Sequence, residues 1–264
     1  GQLDVVTYGS AIGACEKARQ WRGALRLLLE IRRVRLESSV VSHNAAVGAC
    51  EHPGAWRSAL FELVEMQQYG LEPNVISRNS AASAAEKSEH WEIAHELLAE
   101  TWARAMEASI VSCSSAVSAC VGDEHWEMAL ASYSQMRERS VNPNAVVHST
   151  TISACERGGL WQGALKIWWD MTSSGEEADV VAYNAVISSC ESGVLWNSAL
   201  GLLRELLHGH MEPEVITYSA AVSAASKASR WEQVLVISLE EVPARGLVPD
   251  AIVYGVMVAA CSSG

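Results

Sequence analysis

The chain has 264 residues, of which 49% are apolar, and it carries a formal charge of −12 at pH 7. This acidity argues against a generic basic nucleic-acid binder, so any such function needs local evidence. No apolar run reaches the roughly 18 residues that a membrane span requires, and no leader peptide pattern is present.

Tryptophan recurs every 35 residues, at Trp21, Trp56, Trp91, Trp126, Trp161, Trp196 and Trp231. A fixed period of this length is typical of repeat architectures, in which one supersecondary unit stacks on copies of itself. We therefore predict one continuous array over 1–264, with units 5–39, 40–74, 75–109, 110–144, 145–179, 180–214, 215–250 and a partial unit 251–264. The seventh unit has one extra residue near 239–241. Because the pattern begins and stops within a unit, we expect a longer array.

The first half of each unit opens with β-branched residues, such as Val5-Val6-Thr7, so a strand-plus-helix repeat is an alternative. Leucine-rich units of that kind are shorter, at roughly 20–29 residues. Two columns of small residues, such as Gly48 and Ala49, favour a helix, because alanine is a strong helix former and small residues let helices approach closely. The residue before nearly every unit is Asp, Asn or Ser, which are good helix N-caps.

The second half of each unit predicts an amphipathic helix. In the first unit its apolar side chains, Trp21 to Ile31, recur at the spacing of one helical face. We interpret the tryptophans as core residues and not as stacking platforms for bases. Each unit is then a helix-turn-helix, and the fold class is all-α, an α-solenoid stabilised by contacts between neighbouring units.

Six of the seven cysteines share one column, in which alanine fills the other places: Cys15, Cys50, Cys120, Cys155, Cys190 and Cys261. Stacked helices lie roughly 8–10 Å apart, which generally exceeds disulfide reach. We therefore expect packed thiols in a reducing compartment. The sequence has no His-Glu-x-x-His, Cys-x-x-Cys or phosphate-binding glycine loop. We expect no enzyme activity, no metal and no cofactor.

The segments Val180–Asn184 (Val-Val-Ala-Tyr-Asn) and Gly70–Asn74 (Gly-Leu-Glu-Pro-Asn), with the recurring Ala-Cys and Trp-x-x-Ala-Leu patterns, resemble the pentatricopeptide repeat family. The resemblance covers essentially the whole chain and implies a right-handed solenoid superhelix. It also implies binding of single-stranded RNA, roughly one base per repeat. We expect a role in RNA processing, editing, stability or translation in a plastid or mitochondrion, without a membrane or a small-molecule substrate.

The same resemblance assigns roles to three positions of each unit. The second residue sandwiches the base: Val6, Val41, Ile76, Val111, Val146, Val181, Ile216 and Ile252. The fifth and last residues read the base edge together. The expected bases are a pyrimidine for Asn44 with Asn74, cytosine for Asn79 with Ser109, adenine for Ser114 with Asn144, guanine for Ser149 with Asp179, uracil for Asn184 with Glu214, and guanine for Ser219 with Asp250. Gly9 with Ser39 predicts no base.

An asparagine side chain can both donate and accept a hydrogen bond at a base edge, and a serine hydroxyl can donate or accept one. The last position has a second interpretation, because an N-cap role alone explains Asp, Asn and Ser there. The fifth position therefore carries more weight.

A column of cations stands at the end of the first helix, and it suits a phosphate backbone: Lys17, His52, Lys87, Arg157 and Lys227. Cations at a helix C-terminus also favour the helix dipole, so both interpretations remain open. Neighbouring acids weaken the RNA interpretation: Glu16, Glu51, Glu86, Glu156 and Glu191. The alternative function is an α-solenoid scaffold for protein–protein interaction without RNA. Protein partners would then meet the acidic convex face that the second helices form.

Overall fold

The computed structural model describes residues 4–34, 36, 38–51, 55–104, 109–120, 125–209, 211–242 and 251–263, with only the backbone for 240, 241, 251, 252 and 260–263. The described residues form helices and no strand. None of these helices is long and apolar enough to cross a membrane. The helices are α1 Val5–Lys17, α2 Trp21–Arg33, α3 Val40–Ala49, α4 Trp56–Gln68, α5 Val75–Glu86, α6 Trp91–Ala103, α7 Ile110–Ala119, α8 Trp126–Glu138, α9 Ala145–Arg157, α10 Trp161–Ser173, α11 Val180–Ser192, α12 Trp196–His208, α13 Val215–Lys227, α14 Trp231–Val236 and α15 Ala251–Ser263.

Side-chain caps explain where six of the first helices begin. Each capping oxygen accepts the backbone N–H three residues later, which satisfies one of the unpaired donors of the first turn. The capping residues are Asp4, Ser39, Asn74, Ser109, Asn144 and Asp179. The second helix of each pair begins at the recurring tryptophan. The helix-turn-helix repeat predicted from the spacing is therefore confirmed in the described residues.

The described residues form two compact units, one of residues up to 120 with 131–142, and the other of residues 125–130 with those from 143 onward. In the first, α1 packs on α2 and α3, α3 on α5, and α5 on α7. In the second, α9 packs on α10 and α11, and α11 packs on α12 and α13. Small buried residues such as Ala84 and Ala154 lie on these helices, as the small-residue columns predict. That all repeats form one continuous array stays a prediction.

The extra residue of the seventh unit coincides with a change of helix type. After Val236 the backbone turns into a π-helical segment, Ile237–Glu241. A π-helical turn inside an α-helix accommodates one inserted residue without breaking the helix. The predicted position, 239–241, lies in this segment.

The cysteine column is packed as expected. Cys50, Cys120, Cys155 and Cys190 are buried free thiols, and Cys15 is half-buried. Burial raises the pKa of the Cys50 thiol to about 12 and the pKa of the Cys155 thiol to about 11. Such thiols are inert packing groups, because the reactive form is the thiolate. The side chain of Cys261 lies outside the described residues.

The interpretation of all seven tryptophans as core residues is wrong in one respect. Six of them are half-buried, and the seventh, Trp231, is 41% exposed. Each tryptophan is the first residue of its helix. Trp126 and Trp161 lie beside the residue that ends the first helix of the next repeat, Gly158 and Gly193 respectively. A Cβ atom on Gly158 would come within 2.6 Å of the Trp126 ring. The indoles therefore fill the junction between successive repeats and keep one side toward solvent.

Candidate functional site

A column of aliphatic side chains lies on the surface of the first helices. The second residue of each unit is exposed, from 53% at Val111 to 75% at Val41. The full column is Val6, Val41, Ile76, Val111, Val146, Val181 and Ile216; the side chain of Ile252 lies outside the described residues. Single exposed apolar residues are common on proteins, but one at the same position of each first helix from α1 to α13 gives each compact unit a row of exposed apolar side chains.

The fifth residue of each unit lies on the same helical face, because positions three apart are neighbours on a helix. In three units its side chain reaches the last residue of the same unit. Asn44 Nδ2 donates to Asn74 Oδ1 at 3.3 Å, and Asn79 Nδ2 donates to Ser109 Oγ at 2.9 Å. In the third such unit, the Ser149 hydroxyl donates to Asp179 Oδ1 at 3.0 Å. The structure thus brings together three of the pairs that the family resemblance assigns to base reading.

The residues of the other assigned pairs lie at the same two positions of their units. Ser114 lies half-buried on α7, and Asn144 caps α9. Asn184 is half-buried on α11, and Glu214 is the exposed residue before α13. The Ser219 hydroxyl donates to the Ile216 carbonyl of its own helix at 3.3 Å. Asp250 lies outside the described residues, so the pairing of Ser219 stays a prediction.

The last residue of a unit can cap the next helix and bond the fifth residue at the same time. Asn74 Oδ1 accepts the Ser77 backbone N–H at 3.0 Å and the Asn44 amide as well. Asp179 Oδ1 accepts the Ala182 backbone N–H at 2.8 Å and the Ser149 hydroxyl. One oxygen therefore caps the next helix and also fixes the fifth residue. Both of these bonds use Oδ1 of Asp179, although a carboxylate carries two acceptor oxygens.

A third set of residues in this site was missed by the sequence analysis. Hydroxyls at the third position of the following unit donate to the asparagine carbonyls. Ser77 Oγ lies 2.7 Å from Asn44 Oδ1, and Thr217 Oγ1 lies 2.6 Å from Asn184 Oδ1. Ser112 makes the equivalent bond to Asn79. The signal was available in the sequence, as a hydroxyl residue 33 positions after each fifth-position asparagine.

The cation column is partly paired with acids. Lys87 Nζ lies 2.9 Å from Glu51 Oε2, and Lys227 Nζ lies 2.9 Å from Glu191 Oε1. Lys17 and Arg157 are exposed in the last turns of α1 and α9. His52 lies outside the described residues. Exposed ion pairs contribute little free energy, so a phosphate group could displace the partner of either lysine.

The neighbouring acids have a structural role that the sequence analysis did not anticipate. Glu191 Oε1 accepts the Ser223 hydroxyl at 2.7 Å, across to the next repeat. Ser115 and Ser118 donate to Glu86 in the same way, and Ser188 donates to Glu156. Burial raises the pKa of Glu86 and the pKa of Glu156 above the ordinary value. These carboxylates are inter-repeat acceptors, which explains why acids recur beside the cation column.

Replacing Glu86 with glutamine is expected to raise the free energy of unfolding at pH 7, because the amide oxygen keeps an acceptor for the serines without a buried charge. The raised pKa means that the folded chain binds a proton more tightly than the unfolded chain. Wild-type stability should therefore rise as the pH falls from the folded pKa toward 4.5, the ordinary value. The advantage of the variant should shrink over that window.

Urea unfolding across this pH range measures the effect of Glu86→Gln. Glu96→Gln, which removes one negative charge from an exposed site on α6, is the matched control. A gap between Glu86→Gln and wild type that stays constant with pH would contradict the role of burial.

A buried polar cluster elsewhere in the first compact unit has no counterpart in the sequence predictions. His43 Nδ1 lies 3.1 Å from Glu62 Oε2, and Arg32 pairs with both Glu62 and Glu65. His43 occupies the fourth position of its unit, where α11 and α13 carry tyrosine. Among the described residues, no group of three or more His, Cys, Asp or Glu side chains could hold a metal ion.

Stacked helical pairs of 35 residues, with inter-repeat packing along the first helices, define an α-solenoid repeat protein. A model of the pentatricopeptide repeat domain matches residues 2–52, and a model of the PPR repeat matches residues 146–176. Together with the 35-residue period, these two matches support a pentatricopeptide repeat assignment for the chain. None of the curated proteins matches it.

Solved structures of this family share the fold. The crystal structure of PPR10 in complex with an 18-nt psaJ RNA element has a TM-score of 0.77 at 20% identity, over 99% of this chain and 38% of that chain. The structure of PPR10 from maize has a TM-score of 0.63 at 18% identity, over 99% of this chain and 42% of that chain. The PPR domain of Arabidopsis thaliana protein-only RNase P 1, in complex with tRNA, has a TM-score of 0.59 at 16% identity, over 64% of this chain and 89% of that domain. The chain thus spans less than half the length of PPR10.

Proposed function

We propose that this chain binds single-stranded RNA in a sequence-specific manner, with about one base per repeat. The observation that carries the proposal is the exposed aliphatic second residue beside the hydrogen-bonded fifth and last residues. The aliphatic column offers an apolar surface to the faces of the bases. The polar pair offers donors and acceptors to their edges, which is how proteins read unstacked RNA.

The comparisons support this proposal. The PPR10 structure is a complex with an 18-nt RNA element, and the PPR domain of the Arabidopsis enzyme is in complex with tRNA. We further propose that the chain acts in organelle RNA processing, editing, stability or translation, in a plastid or mitochondrion. The repeats themselves would bind RNA without catalysing a reaction.

The geometry of the Ser149–Asp179 pair suits the guanine that the family resemblance assigns to it. The hydroxyl has one proton, and it is donated to the Asp179 carboxylate. The site then presents acceptors only, namely the remaining lone pairs of both side chains. Guanine carries two donor groups, N1–H and N2–H₂, on its Watson–Crick edge, so this pair favours guanine.

The central test is binding to short RNA oligomers that contain Y-C-A-G-U-G, where Y is a pyrimidine. Fluorescence anisotropy should show tighter binding to this oligomer than to one with the same composition in scrambled order. Crosslinking of the chain to cellular RNA, followed by sequencing, should enrich related sites. Equal affinity for ordered and scrambled oligomers would overturn the proposed sequence specificity.

Alanine at Lys87 or Arg157 is expected to weaken RNA binding by a similar factor for every sequence. Each lost phosphate contact should flatten the dependence of log affinity on log salt by about 0.7 to 1 unit. Lys166→Ala removes an exposed cation from α10, a second helix, and serves as the control for charge alone. An unchanged salt slope in both variants would show that these cations stabilise helix C-termini and do not contact phosphate.

One observation favours the second candidate, a protein-interaction scaffold. Two cations of the column, Lys87 and Lys227, are engaged by glutamates, and the chain carries a formal charge of −12. A scaffold would bind its protein partners through the acidic second helices. It would yield no RNA after crosslinking, and the alanine variants at Lys87 and Arg157 would keep its protein partners.

A further inference from the structure

Each asparagine at the fifth position accepts a hydrogen bond from the next repeat. The donors are the hydroxyls of Ser77, Ser112 and Thr217, and the acceptors are Oδ1 of Asn44, Asn79 and Asn184. All three hydroxyl residues are almost completely buried, with at most 3% of their surface exposed. A hydrogen bond in such a water-excluded place holds its partner firmly, because water cannot compete for it.

The hydroxyl accompanies asparagine and is missing after serine. The fifth-position serines, Ser114, Ser149 and Ser219, are followed 33 or 34 residues later by Val147, Ala182 and Val253. Helix capping does not require the hydroxyl, because Asn144 and Asp179 cap helices whose third residue is Val147 or Ala182. Ser42 is the exception that serves as a control: it follows Gly9, which has no amide to hold.

The bonds around Ser77 leave the Asn44 amide one orientation. Ser77 Oγ accepts the Asn74 backbone N–H at 3.2 Å. Its one proton has two acceptors in reach, Asn44 Oδ1 at 2.7 Å and Asn74 Oδ1 at 3.0 Å, and the shorter contact is the one to Asn44. Asn44 Nδ2 donates to Asn74 Oδ1 on the other side. A flipped amide would place an N–H where a donor hydroxyl stands and a carbonyl beside another carbonyl oxygen.

We propose that the hydroxyls of Ser77, Ser112 and Thr217 are positioning residues for specificity, which make the asparagine of the preceding repeat present an N–H donor to the base. This inference rests on the proposed RNA binding. The hydroxyl occupies the asparagine carbonyl, so the carbonyl is not available to the base. In the Asn44 and Asn79 repeats, one amide proton is donated to the last residue of the same unit. The second amide proton faces the base and suits the O2 carbonyl that cytosine and uracil share. A serine repeat presents an acceptor and suits purine donors.

The test compares Ser77→Ala with Ser42→Ala. Both variants remove a buried hydroxyl from the third position of a first helix, beside a capping side chain. Only Ser77 holds an amide. For each protein, the measurement is the ratio of affinities for two oligomers that carry a pyrimidine or a purine opposite the Asn44 repeat.

Ser77→Ala should lower this ratio about three- to tenfold, the loss expected for one hydrogen bond. Ser42→Ala should leave it unchanged, and Ser77→Thr should restore it. Thermal unfolding by circular dichroism checks that both alanine variants are folded at the assay temperature. Thr217→Val, which keeps the side-chain shape, repeats the test at Asn184 if Ser77→Ala does not fold.

The outcomes separate the inference from the proposed function. A pyrimidine preference in the wild type that survives Ser77→Ala would overturn the positioning role and leave the proposed function standing. If Ser77→Ala and Ser42→Ala lower the affinity ratio equally, both hydroxyls only support helix capping, and the positioning role is overturned. A wild type that binds both oligomers equally would overturn base reading at this repeat and the inference with it.

Discussion

Replacing Trp126 with alanine is expected to lower the free energy of unfolding by about 3 kcal/mol, the low end of the range for deleting a large aromatic side chain. The indole is half-buried, which keeps the expected loss below that of a fully enclosed ring. Its effect extends over two repeats, because the ring packs on Gly158 at the end of the next first helix. Trp231→Ala, at a tryptophan that is 41% exposed, should cost less.

Because of the same contact, Gly158→Ala is expected to lower the free energy of unfolding, although this substitution usually raises it at such a backbone conformation. Gly158 has φ −75° and ψ −3°, a backbone conformation in which alanine is normally favoured. Its added Cβ would lie 2.6 Å from the Trp126 ring, so the indole or the helix must shift. Overpacking of this kind costs about 1–3 kcal/mol. Gly201→Ala, on α12 with nothing within 4 Å of the new Cβ, should be neutral or stabilising.

Urea unfolding of Trp126→Ala, Gly158→Ala and the double variant tests the contact directly. In the Trp126→Ala background, Gly158→Ala should lose its cost, because the added methyl group enters the space that the indole leaves. The two changes should therefore be strongly non-additive, as expected for residues in contact. Additive effects would show that the indole does not fill this junction in solution.

The local features of this fold could be predicted from the sequence because each has a local cause. The helix starts follow from capping side chains such as Asp4 and Asn74, which act on backbone groups three residues away. The period follows from the tryptophans, and the extra residue near 239–241 follows from the length of the seventh unit, 215–250, which is one residue longer than the others. The π-helical segment Ile237–Glu241 is its structural counterpart.

The missed features join residues about one repeat apart. The Ser77–Asn44 bond spans 33 residues, and the Lys87–Glu51 pair spans 36. Amphipathic periodicity shows which face of a helix is buried, but it does not show which polar groups meet across two helices. The sequence predicts the tryptophans as core residues because their spacing marks the buried face of the helix. Their exposure depends instead on the end of the next helical pair.

Changing Ser149 to asparagine should move the preference of its repeat from guanine toward uracil, since a donor amide replaces a hydroxyl that presents acceptors while Asp179 stays. The single variant should achieve only part of this change. The third residue of the next repeat is Ala182, which is fully buried and offers no hydroxyl to hold the amide. The double variant Ser149→Asn with Ala182→Ser supplies one, in the arrangement that Ser77 and Asn44 already show.

The test compares four proteins, namely wild type, Ser149→Asn, Ala182→Ser and the double variant. The affinity of each is measured for two RNAs that differ only by guanine or uracil at this base. A wrong base costs about 1–3 kcal/mol in protein–DNA sites, or roughly 5- to 150-fold. The double variant should reach that range in favour of uracil, and the single variant should fall short of it. Ala182→Ser alone should keep the guanine preference, because Ser149 has no amide to orient. Equal selectivity in the single and double variants would mean that the hydroxyl contributes nothing to how asparagine meets the base.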